Sequence, residues 1–214
     1  MLISSQKLLQ TARKQGFAVP AFNINNLEMV VAVMKAATEL KSPIILQTSE
    51  GAIEYAGMPY LIALARIAAE AKLPVVLHLD HGKNLATIKE AIKQGYTSVM
   101  IDASRLPLKE NIATTKKVVT WAKTKKISVE AEIGAIRGVE DHVSVAEAEA
   151  FLTDPDEAAQ FVQPVTAPGD PVTGDELDRR VRFIGLNVST HFQPQPFTVV
   201  GSQIEFARPR RRMP

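Results

Sequence analysis

Across the first 162 residues, short apolar runs alternate with longer stretches of helical spacing, and that beat restricts the chain to an α/β architecture. The spacing predicts helices over 6–14, 27–40, 59–72, 86–94, 108–125 and 155–162. Strands are predicted over 16–22, 43–48, 75–79, 98–102 and 127–133. The punctuation supports this reading: Asn25 or Asn26 can cap the second helix, Gly95 closes the fourth, and Asp154-Pro155 offers an N-cap and a first-turn proline for the last. Five strands alternating with helices imply a parallel sheet, either an open doubly wound sheet or a barrel. Neither a G-x-G-x-x-G nor a G-x-x-x-x-G-K-[ST] follows any predicted strand, so dinucleotide and P-loop readings lose their main support.

Polar residues gather where the predicted strands end. Asp80 and His81 close the third, Asp102 closes the fourth, and Glu130 and Glu132 lie in the last half of the fifth. In an α/β barrel, function collects at the C-terminal ends of strands because the following loops open there. Side chains two apart share a face, so His78 pairs with Asp80 and Glu130 with Glu132. Burying carboxylates at such a mouth is costly unless a cation or hydrogen bonds meet them, and a divalent metal held by imidazole and carboxylate satisfies that demand. Bland readings compete. Asp102 could cap the next helix, the two glutamates could be the polar side of an edge strand, and His78 reads as a packed, hydrogen-bonded core residue.

The strings Pro20-Ala21-Phe22-Asn23, Ser49-Glu50-Gly51-Ala52, His78-Leu79-Asp80-His81-Gly82, Ser98-Val99-Met100-Ile101-Asp102, Glu110-Asn111-Ile112, Val129-Glu130-Ala131-Glu132-Ile133-Gly134 and Gly138-Val139-Glu140-Asp141 stand in this order. Together they resemble the class II ketose-bisphosphate aldolases, the zinc-dependent fructose-bisphosphate and tagatose-bisphosphate enzymes. The resemblance runs from residue 1 to about 162. It implies a (β/α)8 TIM barrel that reversibly cleaves fructose 1,6-bisphosphate into glycerone phosphate and glyceraldehyde 3-phosphate. It also implies roles at matching positions. His81 would be the first ligand of the catalytic zinc, a Lewis acid toward the substrate carbonyl. Asp80 would be the acid–base serving the C4 hydroxyl. Asp102 and Glu132 would hold a second divalent metal, Glu140 would be the base for the triose-phosphate proton, and Asn23 and Ser49 would touch substrate. His78 falls to a supporting or core role. Family members are commonly homodimers or homotetramers. One position departs from the pattern: Arg137 stands where the first of two glycines is usual, leaving Gly138 alone before the acidic pair.

After residue 162 the composition changes abruptly. Residues 1–162 hold 14 Lys and 4 Arg, whereas 163–214 hold no Lys, 7 Arg and 7 of the 13 Pro. The family's G-T-x-H-G stretch, its third zinc histidine and its later phosphate loops do not follow. His191 falls too late for the second ligand, and one histidine cannot serve where two are needed. A full barrel takes roughly 250 residues. The chain therefore reads as a barrel unit of about five βα repeats over 1–162 joined to an irregular, frameshifted or fused Pro/Arg-rich tail over 163–214. An inactive aldolase unit is the alternative to an active one, because a single recognisable zinc histidine predicts weak metal binding.

Bulk properties agree with a cytoplasmic enzyme. There is no cysteine, no signal-peptide pattern in the polar N-terminus, and no apolar run approaching the roughly 20 residues of a membrane span. The basic run RPRRR at 208–212 lacks interleaved aromatics and reads as a solvated tail, so neither nucleic acid nor membrane is expected as a partner.

Overall fold

Five strands form one parallel sheet in the order β1 (Ala21–Asn23), β2 (Ile44–Thr48), β3 (Val75–Leu79), β4 (Ser98–Ile101) and β5 (Ser128–Ala131). The structure is a computed structural model and describes residues 2–134, 138–140, 143–145, 155–165, 197–200 and 203–206. Sequential strand order sends every crossover over the same face, whereas a doubly wound sheet reverses at a switch point. Of the two architectures open to the sequence, the barrel type is the one observed, as an incomplete arc. Among the described residues no sixth strand joins this sheet.

The outer face is apolar and covered by helices. Val75, Leu77 and Leu79 of β3, with Val99 and Ile101 of β4, are fully buried. They pack in one cluster with Met34 of α2 (Leu27–Leu40), Ile62 of α4 (Met58–Ala68), Ile88 of α5 (Leu85–Gln94), Val118 of α6 (Leu108–Lys123) and Phe161 of α7 (Pro155–Val165). Helix ends follow local chemistry. Asn26 accepts from Met29 N at 3.0 Å to start α2, Asn84 accepts from Ala86 N at 2.8 Å to start α5, and Gly95 at φ 112° ends α5.

The inner face is mostly polar and carries a helix of its own at the N-terminal end of the sheet. Leu8 of α1 (Ser5–Gln15) packs on Ile45 and Val76. Ser5 Oγ lies 3.0 Å from Ser98 Oγ, and Gln6 N donates to Ser128 Oγ at 3.0 Å.

Several elements differ from the sequence reading. The first strand is only Ala21–Asn23, since the segment before Pro20 makes no ladder with β2 beyond one bond from Ile45 N to Pro20 O. A seven-residue helix, α3 (Glu50–Ala56), was not anticipated; Ser49 caps it and Gly57 separates it from α4. Helix α7 runs on to Val165, with Pro164 inside its last turn. Outside the sheet lie two antiparallel hairpins, β6 (Gly138–Glu140) with β7 (Val143–Val145), and β8 (Phe197–Val200) with β9 (Gln203–Phe206). The second lies in the stretch read as irregular. Its β-branched and aromatic flanks around Gly201-Ser202 are an ordinary two-residue hairpin signal.

Candidate metal and acid–base site

The end of β3 supplies the centre of the site. Alternation along the strand turns Leu77 and Leu79 toward the helices and His78 and Asp80 toward the inner face. The backbone then bends sharply: His81 has φ 46°, a left-handed conformation that costs a non-glycine residue about 1–2 kcal/mol. Gly82 follows against a wall of atoms, where an added Cβ would sit 2.5 Å from Met100 O and 2.9 Å from Ile88 Cγ1. Only glycine lets β4 pass this close, and Asp102 N donates to Gly82 O at 2.8 Å across the gap.

That bend brings three predicted residues together. His81 Nδ1 is 3.5 Å from Asp102 Oδ2 and 3.8 Å from Glu132 Oε2, and one ligand atom from each of the three lies within 4.8 Å of the others. Donors about 2.1 Å from a tetrahedral zinc stand ~3.4 Å apart, so an imidazole and two carboxylates in this arrangement fit a divalent cation. The resemblance implies one ion at His81 and another at the two carboxylates; the structure brings one ligand atom of each of the three within 4.8 Å of the others. Burial pushes the Asp102 carboxyl up, but hydrogen bonds from His81 and Ser104 and the pull of the His81 charge outweigh it, bringing its pKa down to about 2. Asp102 is thus ionised, as a ligand must be. Ser104 N and Oγ both donate to Asp102 Oδ1, at 3.3 and 2.8 Å, a turn within the loop after β4; Asp102 does not cap α6, whose N-cap position is Pro107. Asn111, buried in α6, donates to Glu132 O at 2.7 Å and steadies the end of β5.

Asp80 is buried beside this group. Asn23 Nδ2 donates to Asp80 Oδ2 at 2.8 Å, and Gln47 Nε2 approaches Asn23 Oδ1 at 3.5 Å. Asp80 Oδ1 is buried without a hydrogen-bond partner among the described residues. The structure therefore joins Asn23 to Asp80. It gives Ser49 a different visible contact, accepting from Ala52 N at 3.2 Å as the α3 cap. Glu140 ends β6, and its side chain lies outside what the structure describes, as do Arg137, His142 and His191.

Beneath Asp80 lies a pair that the sequence reading placed only loosely. His78 Nδ1 is 2.8 Å from Ser98 Oγ, and His78 Nε2 is 3.5 Å from Glu130 Oε2 without hydrogen-bond geometry. Burial lowers the His78 pKa to about 4, against the pull of Asp80. Burial, then repulsion from Asp80, raises Glu130 well above the usual carboxylate range. Both shifts favour neutral forms, so the close approach is not an ion pair. Gln47 and Glu50 were given no role. A glutamine inside the apolar run of β2 was a usable signal, and Glu50 stands in the quoted Ser49–Ala52 string, but its partners lie more than thirty residues away.

Known proteins resemble this chain over the same region. A family model described as "Fructose-bisphosphate aldolase class-II" matches residues 3–167. A fructose-bisphosphate aldolase of Thermus caldophilus is 44% identical over 163 residues, covering 76% of this chain and 53% of that protein. One of Helicobacter pylori is 45% identical over 165 residues, covering 76% and 54%. A D-tagatose-1,6-bisphosphate aldolase subunit GatY of Klebsiella oxytoca is 44% identical over 162 residues, covering 75% and 57%. Among solved structures, the YdjI aldolase of Escherichia coli K12 superposes with a TM-score of 0.66 at 33% identity, over 77% of this chain and 57% of that one. A putative fructose-1,6-bisphosphate aldolase of Coccidioides immitis gives 0.67 at 35%, over 74% and 56%. The chain spans about half the length of the curated relatives it matches. Since the match takes in every strand of the parallel sheet and each residue of the donor group, the chain belongs to the class II fructose-bisphosphate aldolase family.

Proposed function

We propose that the chain carries zinc-dependent, reversible cleavage of fructose 1,6-bisphosphate to glycerone phosphate and glyceraldehyde 3-phosphate. One observation supports this reading above others. Asp80, with one oxygen held by Asn23 and the other without a partner among the described residues, adjoins His81 of a cation-sized donor group. His81, Asp102 and Glu132 would hold the metal, and a bound divalent ion supplies Lewis-acid polarisation of the substrate carbonyl. Asn23 fixes Oδ2 of Asp80 and leaves Oδ1 to accept the C4 hydroxyl proton in cleavage. The same atom returns that proton to the aldehyde oxygen in condensation. Glu140 is the base we assign to the triose-phosphate carbon, and Asn23 and Ser49 are the substrate contacts. We take 1–162 as the aldolase unit and 163–214 as a separate tail, in a cytoplasmic, glycolytic homodimer or homotetramer. Among the described residues, no helix is long and apolar enough to cross a membrane.

Two observations favour further readings. The Klebsiella oxytoca tagatose-bisphosphate relative is as similar as the Thermus caldophilus one, which makes the C4 epimer a second candidate substrate. The donor group also holds one imidazole among the described residues, which favours slow turnover or none. The test is cleavage of both bisphosphates by the purified chain, with zinc and again with a chelator. Chelator-sensitive cleavage, falling ~10²–10⁴-fold in Asp80→Ala, is the expected outcome. No cleavage of either sugar at saturating zinc would overturn it in favour of an inactive unit.

A further inference from the structure

A side chain outside the donor group is bonded to the loop that follows its left-handed member, His81. Glu50, first residue of α3, accepts two backbone hydrogen bonds on one oxygen: Lys83 N reaches Oε1 at 3.2 Å and Asn84 N at 2.8 Å. Asn84 is the N-cap of α5, and a cap residue leaves its own N–H unsatisfied unless an acid three residues into the helix reaches back. Thr87 occupies that position in α5, so Glu50 supplies the acceptor from another element. The effect extends to the bend before it. His81 stays at φ 46° only if the residues on both sides are pinned, because a left-handed non-glycine relaxes once released. On the N-terminal side, Asp80 N donates to Thr48 O at 2.9 Å, and in the middle Gly82 O accepts from Asp102 N. On the C-terminal side, Glu50 ties down the backbone amides of Lys83 and Asn84, while the Lys83 ammonium lies 4.0 Å from Asp102 Oδ2.

We infer that Glu50 is a positioning residue: by clamping the amides of Lys83 and Asn84 to α3, it holds His81 in the left-handed bend that aims its imidazole at Asp102 and Glu132. The inference about loop geometry stands on contacts alone, and its consequence for metal affinity rests on the proposed zinc reading. Glu50 touches neither the donor atoms nor Asp80 among the contacts described, so it acts through the loop.

The test compares Glu50→Ala with Glu50→Gln, which keeps the Oε1 acceptor, and with Asn26→Ala, which removes the α2 cap and leaves this loop untouched. In metal-free, isotope-labelled full-length chain, Glu50→Ala is expected to speed amide exchange at Lys83 and Asn84 by at least ~10-fold and to move the His81 ring resonances. Glu50→Gln and Asn26→Ala should leave both close to wild type. Unmoved His81 resonances in Glu50→Ala, or equal movement in Asn26→Ala, would overturn the inference. Zinc titration is the second arm. Glu50→Ala should weaken binding ~10–100-fold, with Glu50→Gln within about 3-fold of wild type. Wild-type affinity in Glu50→Ala would overturn the positioning claim. Failure of the wild-type chain itself to bind zinc would instead overturn the metal reading, while the resonance arm still decides the role of Glu50.

Discussion

The two faces of β3 are built from alternating residues of a single five-residue strand, yet they answer to different physics. Val75, Leu77 and Leu79 meet helices and make no polar demand. Asp80, just beyond the strand, takes a short, directional hydrogen bond from Asn23, and His78 makes another with Ser98 while lying against Glu130 without one. Outer-face burial contributes stability that is indifferent to pH or metal. Inner-face burial sets protonation and geometry and leaves polar atoms on His78, Asp80 and Glu130 without hydrogen-bond partners among the described residues. A period of two lets one strand do both, because neither set intrudes on the other.

The comparison breaks most visibly on the outer face. Leu77 is fully buried between sheet and helices, and Leu77→Ala should cost ~3–4 kcal/mol through lost burial and an unfilled cavity. Urea unfolding at pH 6 and pH 8 should show the same loss, with no dependence on zinc. A loss that varied with pH would mean the two faces are coupled.

The inner face should respond to pH where the outer does not. His78 has its pKa lowered to about 4 in the folded chain, from 6.5. Between those values the unfolded chain binds a proton that the folded chain refuses, so stability is present above 6.5 and is lost as pH falls toward 4. The interval corresponds to ~3 kcal/mol. Asp80, His81 and Glu130 all face His78, and Glu130, whose pKa is raised, contributes a slope of opposite sign. The quantity to measure is therefore the difference between wild type and His78→Gln across pH 4–7. Parallel stability curves for the two would show that His78 does not carry this acid sensitivity.

How much of this was legible follows the same division. Helix α2 and strand β3 fall where the sequence put them, since both carry an uninterrupted apolar period closed by unambiguous punctuation. Asp80, His81, Asp102 and Glu132 could be named as candidates because strand ends are fixed by the same pattern. Helix α3 escaped because seven residues with Gly51 near the start make too little periodicity to register, and its Ser49 cap had been given another role. Contacts across the fold escaped for a deeper reason. The bonds from Glu50 to the loop, and from Asn23 to Asp80, join residues 33, 34 and 57 positions apart, and no local spacing encodes them. The merging of His81 with both carboxylates depends on the left-handed turn at residue 81, which only Gly82 hinted at.

A smaller effect sharpens the comparison at its N-terminal end. Ser5 of α1 lies 3.0 Å from Ser98 Oγ, which is in turn 2.8 Å from His78 Nδ1, so a buried chain of hydroxyls links the plugging helix to the imidazole. Ser5→Ala removes one link without leaving Ser98 unpartnered, since His78 still meets it. A single neutral hydrogen bond of this kind contributes ~1 kcal/mol, and that is the expected loss in urea unfolding at pH 8. With His78 neutral, one ring nitrogen donates and the other accepts, and the Ser98 hydroxyl must orient to suit. Losing Ser5 frees that rotor, so the deletion should couple to the imidazole and not to the apolar face. A double-mutant cycle decides it: Ser5→Ala with His78→Gln should depart from additivity by at least ~0.5 kcal/mol, whereas Ser5→Ala with Leu77→Ala should add within that margin. Additivity in both pairs would mean that α1 closes the sheet by packing alone, and that the polar inner face is a set of separate contacts instead of a connected one.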